Sequence, residues 1–236
     1  MINVALPARL PGVPVTVLTA SKIIRKIRNG NPMQTALHTG LARYLSSEQR
    51  DALHAARVGI AGAGGLGSNA ALMLARSGIG NLLVVDDDVV DASNLNRQQY
   101  WPRHVGRPKV EALAELLLEL NPAMQVETRR LRMDQHNIGT VLPSCPIWVE
   151  AFDGPDDKTL LVETALLGGY RIASASGMGG WGGKAMGKRY LGNLVLVGDF
   201  STDVLLAPPL APRVTEAAAL LADAVLEMVL GAHDMS

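Results

Sequence analysis

The sequence has almost no cysteine, no excess of charge of either sign and no long apolar run. The single cysteine, Cys145, excludes an internal disulfide and a zinc site built only from cysteines. The five histidines show no metal-ligand spacing, so we expect no structural zinc. Basic and acidic residues number 22 each, so composition gives no general reason to expect binding to nucleic acid or to a membrane.

No stretch reaches the ~18 consecutive apolar residues of a membrane-spanning helix. Three prolines interrupt the region where a secretory signal would need an apolar run, so we expect a cytoplasmic protein. A chain of 236 residues with 48% hydrophobic residues predicts one main globular domain plus an extension. We place an N-terminal helical arm at residues 1–45 and a nucleotide-binding domain at residues 46–236.

A glycine-rich turn follows a short apolar run that begins at Arg57. Gly62, Gly64 and Gly67 fit the GxGxxG spacing, with Gly65 between them, and helix-favouring residues follow at once. Glycines at these places permit a tight turn, backbone approach to a phosphate, and close packing of helix on strand. The free N–H groups and positive dipole end of the helix then predict a phosphate cradle. The alternative is a glycine turn without a ligand.

The next apolar run ends in three consecutive aspartates. Asp86 follows Gly67 by nineteen residues, about where a carboxylate accepts hydrogen bonds from ribose hydroxyls. This spacing predicts a ribose-bearing ligand. For Asp87 and Asp88 the alternative is a solvated cluster at the end of a strand.

From residue 57 onward, apolar runs alternate with helical patterns, which is typical of an α/β fold with a Rossmann-like, doubly wound, mostly parallel sheet. Strands are predicted at 57–61, 82–85, 126–131, 147–152 and 171–175, with an antiparallel hairpin at 190–197. Helices are predicted at 109–120, 156–167 and 211–230. In the arm we expect irregular chain to about residue 16 and helices near 19–28 and 34–44. A capping box of Ser46 and Gln49 then opens a helix that runs to residue 56.

Four segments together resemble the ThiF/MoeB/HesA family, which is related to the ubiquitin-activating enzymes: GAGGLGS, VVDDDVVDASNLNRQQYW, VGRPKVEAL and EAFD. The resemblance covers roughly residues 40 to 231 and is closest to the short ThiF-type proteins of thiamine biosynthesis. Those proteins share the Ala-Ser-Gly-Met loop and the late Ala-Pro-Arg. The joint occurrence of Asn94, Arg97 and Lys109 in this order is more specific than the glycine turn.

The resemblance implies ATP- and Mg-dependent adenylation of the C-terminal carboxylate of a small ubiquitin-like carrier protein, with a ThiS-like sulfur carrier as the first candidate. It assigns nucleotide contacts to Asp86, Asn94, Arg97 and Lys109, and magnesium to Asp153. The adenylation reaction requires the same residue types. Cations must stabilise the phosphates while pyrophosphate leaves, and a carboxylate can hold the metal. The alternatives are surface ion pairs for the two cations and a helix cap for Asp153.

Longer family members carry two CxxC pairs for zinc, and some carry a crossover-loop cysteine that links to the carrier. This chain has neither, and its corresponding loop, residues 174–179, contains serines instead. We therefore expect an adenylating enzyme that forms no thioester of its own and leaves sulfur transfer to a sulfur donor protein. Cys145 is interpreted as a buried or inert thiol. The glycine-rich residues 177–187 are either a loop that closes over the carrier's tail or a solvent loop.

Many relatives place an arginine from the partner subunit at the triphosphate, so the resemblance also implies a homodimer. Arg43 is the candidate by position, and an ordinary helix-surface arginine is the alternative. Other functions also fit parts of the pattern: a family member that activates a molybdopterin-type carrier or a tRNA base, a nucleotide-sensing protein without turnover, or a NAD-dependent oxidoreductase. The oxidoreductase would share the glycine turn and Asp86, but it would not need Asn94, Arg97 and Lys109 together.

Overall fold

The computed structural model describes residues 15–18, 36–204 and 206–231. Its strands are β1 (Val15–Leu18), β2 (Arg57–Ala61), β3 (Asn81–Val85), β4 (Gln125–Arg129), β5 (Ile147–Glu150), β6 (Arg171–Ala175), β7 (Gly187–Leu191) and β8 (Leu194–Gly198). Its helices are α1 (Ala36–Leu41), α2 (Ser47–Ala55), α3 (Gly65–Arg76), α4 (Lys109–Leu120), α5 (Ile138–Val141), α6 (Pro155–Leu167) and α7 (Ala211–Leu230). Within these described ranges, three short 3-10 segments lie at 92–94, 102–104 and 142–144.

The described strands form one sheet in the order β1-β4-β3-β2-β5-β6-β8-β7. The six central strands, from β4 to β8, are parallel, while β1 and β7 pair antiparallel at the two edges. The predicted C-terminal hairpin is present, with Leu191 opposite Leu194 around a two-residue turn. Strand β2 pairs with β3 on one side and β5 on the other, so the strand order reverses between β2 and β5. Ligands of open α/β sheets bind beside such a reversal.

Helices cover both faces of the sheet, which confirms the doubly wound prediction. Buried residues of α3, α4 and α7, such as Leu74, Leu113 and Leu221, pack on one face. On the other face the smaller cluster includes Trp148 of β5 and Leu161 of α6. Because both faces are covered, the central strands are buried along most of their length, as their continuous apolar runs indicated.

Local sequence signals account for the helix boundaries. At the start of α2, Ser46 and Gln49 exchange side-chain to backbone hydrogen bonds of 2.9 and 3.2 Å, so the predicted capping box is confirmed. Helix α4 buries Val110, Leu113 and Leu117 on one face, as its periodicity predicted. Among the described residues, no helix is both long and apolar enough to cross a membrane.

Several boundaries differ from the sequence-based expectation. Residues 15–18 lie where irregular chain was expected to end, before the helix predicted at 19–28, but they form an edge strand that pairs with β4. The predicted strand at 147–152 ends at Glu150, because the carboxylate of Glu150 accepts a 2.8 Å hydrogen bond from the Phe152 N–H and turns the chain. Strand β4 ends at Arg129, two residues early. The helix predicted at 19–28 lies outside the described residues, and α1 is shorter than the predicted 34–44.

Candidate functional site

A cleft of about 870 Å³ opens at the carboxyl ends of the parallel strands. Loops that follow β2, β3, β4, β5, β6 and β8 all contribute to it. Its volume lies within the range of pockets that hold drug-sized ligands and cofactors. Seven of the predicted site residues line this cleft: Gly62, Gly64, Gly65, Asp86, Arg97, Lys109 and Asp153.

The glycine turn connects β2 to α3 at one wall of the cleft. Gly62 has φ of +96°, a backbone conformation that residues with a side chain rarely adopt. Gly67 faces the turn from the first turn of α3, and a Cβ there would overlap the carbonyl oxygen of Gly62. This close approach fixes the helix N-terminus on the cleft, where its first N–H groups have no partner within the helix. The turn thus has the geometry of an anion-binding helix start.

Asp86 and Tyr100 both form hydrogen bonds to the backbone of the glycine turn. The Asp86 Oδ2 atom accepts a 2.7 Å hydrogen bond from the Ala63 N–H, and Tyr100 Oη donates to the Ala63 carbonyl at 2.7 Å. Burial raises the pKa of Asp86, and the Ala63 hydrogen bond and the nearby Lys109 charge oppose this shift. Burial also raises the pKa of Tyr100 well above its ordinary value, so its hydroxyl remains a donor. The predicted ribose carboxylate therefore also shapes the turn.

Arg97 lies beside the turn, on the segment between β3 and α4. Its guanidinium donates to the Ser93 carbonyl at 3.2 Å and to Asn96 Oδ1 at 2.8 Å. Its own carbonyl accepts a 3.0 Å hydrogen bond from Asn69 of α3, which ties the segment to the helix. Asn94 is used differently: its Oδ1 accepts from the Asp91 N–H at 3.0 Å and closes a short 3-10 turn. Asn94 does not line the cleft.

Lys109 begins α4, and its ammonium group already has a carboxylate partner. Its Nζ lies 2.7 Å from Oδ2 of Asp88, the third aspartate after β3. The Lys109 side chain is 9% exposed and that of Asp88 is 66% exposed. The oxygens of the three aspartates at 86–88 come within 4.8 Å of one another.

Asp153 follows β5, the strand next to β2, and lines the same cleft as the glycine turn. It is exposed, and its carboxylate makes no hydrogen bond or ion pair within the described part of the chain. A fully buried carboxylate lies below it: Glu150 accepts hydrogen bonds from Ser174 Oγ at 2.6 Å and from the Lys158 ammonium. Lys158 reaches from α6 and also lines the cleft. The Glu150 carboxylate thus fixes the loop that presents Asp153.

The cations of the cleft are not equivalent. Lys109 pairs with Asp88, Lys158 with Glu150, and Arg132 with Asp157 at 3.0 Å. Among the described cleft residues, Arg97 is the cation without a carboxylate partner. Arg97 donates to two neutral oxygens from a single nitrogen, Nη1, so its remaining N–H groups can still donate to an anionic ligand.

The far wall joins residues 176–178 after β6 to residues 200–204 after β8. The backbones are linked by hydrogen bonds of 3.0 Å from the Asp199 N–H to the Gly177 carbonyl and from the Phe200 N–H to the Ser176 carbonyl. Phe200 has φ of +57°, an unusual conformation for a residue with a side chain, and lines the cleft. Below this wall, Asp199 and Arg213 form a buried ion pair of 2.5 Å.

Two further residues discussed from the sequence, Arg43 and Cys145, also lie away from the cleft. Arg43 is exposed in the turn between α1 and α2 and does not line the cleft of its own chain. Cys145 is 1% exposed just before β5, and burial raises the pKa of its thiol to about 12. The interpretation of Cys145 as a buried, inert thiol agrees with this position.

Sequence reasoning missed several residues that shape the site. Asn69, Asp88, Tyr100, Glu150 and Lys158 were not singled out for the contacts described above. One signal was present: Glu150 ends the otherwise apolar run Ile-Trp-Val-Glu, and a carboxylate on a strand predicted to be buried requires a partner. The partner itself, Lys158, could not be read from the spacing alone.

The fold and the position of the cleft define a Rossmann-like α/β protein with its site at the reversal of strand order. The model of the ThiF family matches residues 37–189, which is more than half of the chain. The chain therefore belongs to the ThiF family, and the predicted resemblance is confirmed.

Similar sequences include an adenylyltransferase and sulfurtransferase and an E1 activating enzyme. The chain is 38% identical over 126 residues to the adenylyltransferase and sulfurtransferase UBA4 of Yarrowia lipolytica, covering 53% of this chain and 32% of that protein. It is 42% identical over 115 residues to the SAMP-activating enzyme E1 of Haloferax volcanii, covering 48% and 43% of the two chains. The chain thus spans less than half the length of these relatives.

Similar solved structures share the fold. The E. coli tRNA N6-threonylcarbamoyladenosine dehydratase TcdA, in complex with ATP, superposes with a TM-score of 0.74 at 21% identity, covering 81% of this chain and 93% of TcdA. E. coli MccB with ATP gives a TM-score of 0.66 at 23% identity, covering 85% and 64% of the chains. At these identities the likeness establishes the architecture alone.

Proposed function

We propose that this chain binds ATP and adenylates the C-terminal carboxylate of a small ubiquitin-like carrier protein, with a ThiS-like sulfur carrier as the first candidate. One observation carries the proposal: a single cleft at the strand reversal is lined by the glycine turn, Asp86, Arg97, Lys109 and Asp153. The names of UBA4 and the SAMP-activating enzyme support carrier activation, and the ATP complexes of TcdA and MccB support nucleotide binding in this fold.

The reaction places defined demands on the site. An oxygen of the carrier's carboxylate attacks the α-phosphorus of ATP, and the bond from that phosphorus to the leaving pyrophosphate breaks. Negative charge on the phosphates must be stabilised throughout this exchange. Arg97 and Lys109 supply fixed positive charge, and the N–H groups at the start of α3 supply oriented dipoles. Asp86 can accept from a ribose hydroxyl in addition to the Ala63 N–H, because a carboxylate has about four acceptor sites.

Magnesium fits the donor chemistry of the loop that follows β5. Mg²⁺ prefers oxygen ligands and usually combines one or two carboxylates with phosphate oxygens and water. Asp153 is an exposed, unpaired carboxylate among the described residues, and it faces the same cleft as Arg97 and Lys109. We assign it as the residue that would hold the metal, which would neutralise phosphate charge.

Sulfur chemistry would belong to another protein. The thiol of Cys145 lies outside the cleft and has a pKa of about 12, so it is a poor nucleophile at neutral pH. The acyl adenylate would therefore pass to a separate sulfur donor. The glycine-rich segment between β6 and β7 is exposed at residues 181–185, and its glycines would suit an extended carrier tail, which needs a channel with few side chains.

The exposed position of Arg43, outside its own cleft, is compatible with insertion into the site of a second copy. We propose a homodimer on this basis and on the family resemblance. Sedimentation velocity should give twice the chain mass of 25.0 kDa, and Arg43→Ala should slow adenylation without changing that mass. A monomer that retains full activity would remove this role.

Pyrophosphate exchange into ATP tests the main proposal. The purified protein with Mg²⁺ is assayed with ThiS-like, molybdopterin-type and Urm1- or SAMP-like carriers, each compared with the same carrier lacking its C-terminal glycine. We expect exchange that requires the intact C-terminus. Asp153→Ala should lose exchange, whereas Asp156→Ala, a nearby exposed aspartate of α6 that does not line the cleft, should retain it.

The outcomes separate the alternatives. Exchange with a ThiS-like carrier alone supports the narrow proposal, and exchange with another carrier keeps adenylation but changes the substrate. No exchange with any carrier, together with tight NAD binding, would contradict both the ThiS-like carrier and adenylation itself. Full exchange by folded Asp153→Ala would remove the magnesium assignment while leaving adenylation in place.

A further inference from the structure

The buried ammonium of Lys109 is neutralised by a residue that has no role in the reaction described above. Its Nζ lies 2.7 Å from Asp88 Oδ2, and the lysine side chain is only 9% exposed. A charge in such an environment is costly without a counter-charge. Asp88 supplies that counter-charge, although its own side chain is 66% exposed.

Backbone pairing places the two residues opposite each other. The Lys109 N–H donates to the Asp88 carbonyl at 2.9 Å, and the Asp88 N–H donates to Asp86 Oδ1 at 2.8 Å. An antiparallel bridge between Val89 and Pro108 continues the contact. Because both backbones are fixed, the ion pair separates by side-chain rotation, and the exposed Asp88 side chain has solvent available to receive it, whereas the Lys109 side chain is buried.

Nucleotide phosphates would compete for the same ammonium group. Asp88 and a polyphosphate carry charge of the same sign, so both cannot use the buried Nζ fully without repelling each other. We propose that Asp88 is the resting counterion of Lys109, displaced when phosphates bind, and that it thereby sets the affinity of the cleft for polyphosphate. This inference rests on the proposed nucleotide site and names a residue that tunes it through Lys109.

Asp87 provides a matched control. It is adjacent in sequence, has the same charge, is exposed and lines the same cleft. Its carboxylate makes no ion pair within residues 36–204 or 206–231. Neutralising either aspartate changes the net charge of the cleft equally, but only a change at Asp88 frees Lys109.

The test is isothermal titration of the full chain with the α,β-methylene analogue of ATP, in which the bond that breaks during adenylation is replaced. Titrations are run with EDTA and with Mg²⁺. We expect Asp88→Asn to bind the analogue about fivefold more tightly than the unmodified chain in EDTA, equivalent to ~1 kcal/mol, the upper range for a partly exposed ion pair. Asp87→Asn should change the affinity by less than about twofold.

Two further titrations show that the effect acts through Lys109. In a Lys109→Met background, Asp88→Asn should leave the affinity unchanged, because no ammonium remains to be freed. Adenosine, which has no phosphate, should bind Asp88→Asn and the unmodified chain equally. Thermal unfolding without ligand should show a slightly lower midpoint for Asp88→Asn than for Asp87→Asn, since Lys109 then lacks its partner.

Equal gains for Asp87→Asn and Asp88→Asn would overturn the inference in favour of general charge. Weaker binding by Asp88→Asn only with Mg²⁺ would overturn it in favour of a metal ligand. If the unmodified chain binds the analogue and Asp88→Asn shows no gain, this inference alone fails. If the gain is found but no carrier supports pyrophosphate exchange, the proposed function alone fails. Absence of analogue binding would refute both.

Discussion

The buried pair of Asp199 and Arg213 joins three parts of the molecule beneath the far wall of the cleft. Asp199, at the end of β8, also accepts from the backbone N–H groups of Ser201 and Thr202 at 2.8 Å each, and from Thr202 Oγ1 at 2.6 Å. Arg213, at the start of α7, donates to the Lys184 carbonyl at 2.9 Å. The pair therefore links the loop after β8, the glycine-rich crossover segment and the last helix.

Replacement of Asp199 by asparagine keeps the side-chain shape and removes its charge. The guanidinium of Arg213, 7% exposed, then keeps the Lys184 carbonyl and one described carboxylate, Glu216, which lies 3.4 Å away and is 46% exposed. Breaking a buried pair by removing one partner costs about 3–5 kcal/mol. Because Glu216 compensates in part, we expect the lower end, about 3 kcal/mol, or ~6–12 °C in the unfolding midpoint of a chain of this length.

Urea and thermal unfolding, each followed by circular dichroism, measure this loss. Glu216→Gln is the matched control, because it neutralises the exposed neighbour of the same arginine and should cost less than about 0.5 kcal/mol. The double variant Asp199→Asn with Arg213→Met should recover part of the stability, since no buried charge is left unpaired. An Asp199→Asn protein within about 0.5 kcal/mol of the unmodified chain would refute this account of the pair.

Three other predictions concern Asp199, Gly67 and Cys145. The hydrogen bonds from Thr202 and Ser201 and the Arg213 charge hold the pKa of Asp199 well below its ordinary value. The stabilisation from this carboxylate should therefore be complete above the unfolded-state pKa of about 3.9 and be lost as the pH falls further. The free energy of unfolding should decrease below about pH 4, and it should decrease less steeply in Asp199→Asn. Gly67→Ala should destabilise by about 3 kcal/mol because its Cβ would overlap the Gly62 carbonyl, whereas Gly64→Ala, whose Cβ would meet only a side-chain atom at 3.7 Å, should unfold within a few degrees of the unmodified chain. Cys145, with a pKa of about 12, should react with Ellman's reagent at pH 8 only after unfolding in urea, and fast labelling of the native protein would contradict its burial.

Much of the fold could be predicted because its signals are local. The capping box at Ser46 and the apolar face of α4 involve residues only three or four positions apart, so periodicity and caps were sufficient. The glycine spacing that begins at Gly62 was readable for the same reason. Strand β1 was missed because its pairing with β4 joins residues more than a hundred positions apart, and the three prolines that precede it, at 7, 11 and 14, favoured irregular chain.

For the candidate site, too, the residue types could be predicted from the sequence and their partners could not. The sequence by itself determined which residue types lie at the carboxyl ends of the strands, because alternating strands and helices bring Asp86, Lys109 and Asp153 to one edge of a parallel sheet. It also indicated the family through the order of Asn94, Arg97 and Lys109.

Only the tertiary structure decided which of these groups are free and which are already paired. Lys109 meets Asp88 across a backbone bridge, Glu150 holds Lys158 across the β5–α6 connection, and Arg97 has no carboxylate partner among the described cleft residues. Partners and burial depend on how distant segments pack, and spacing along the chain does not encode them. The strength of each charge in the cleft is therefore a property of the folded arrangement.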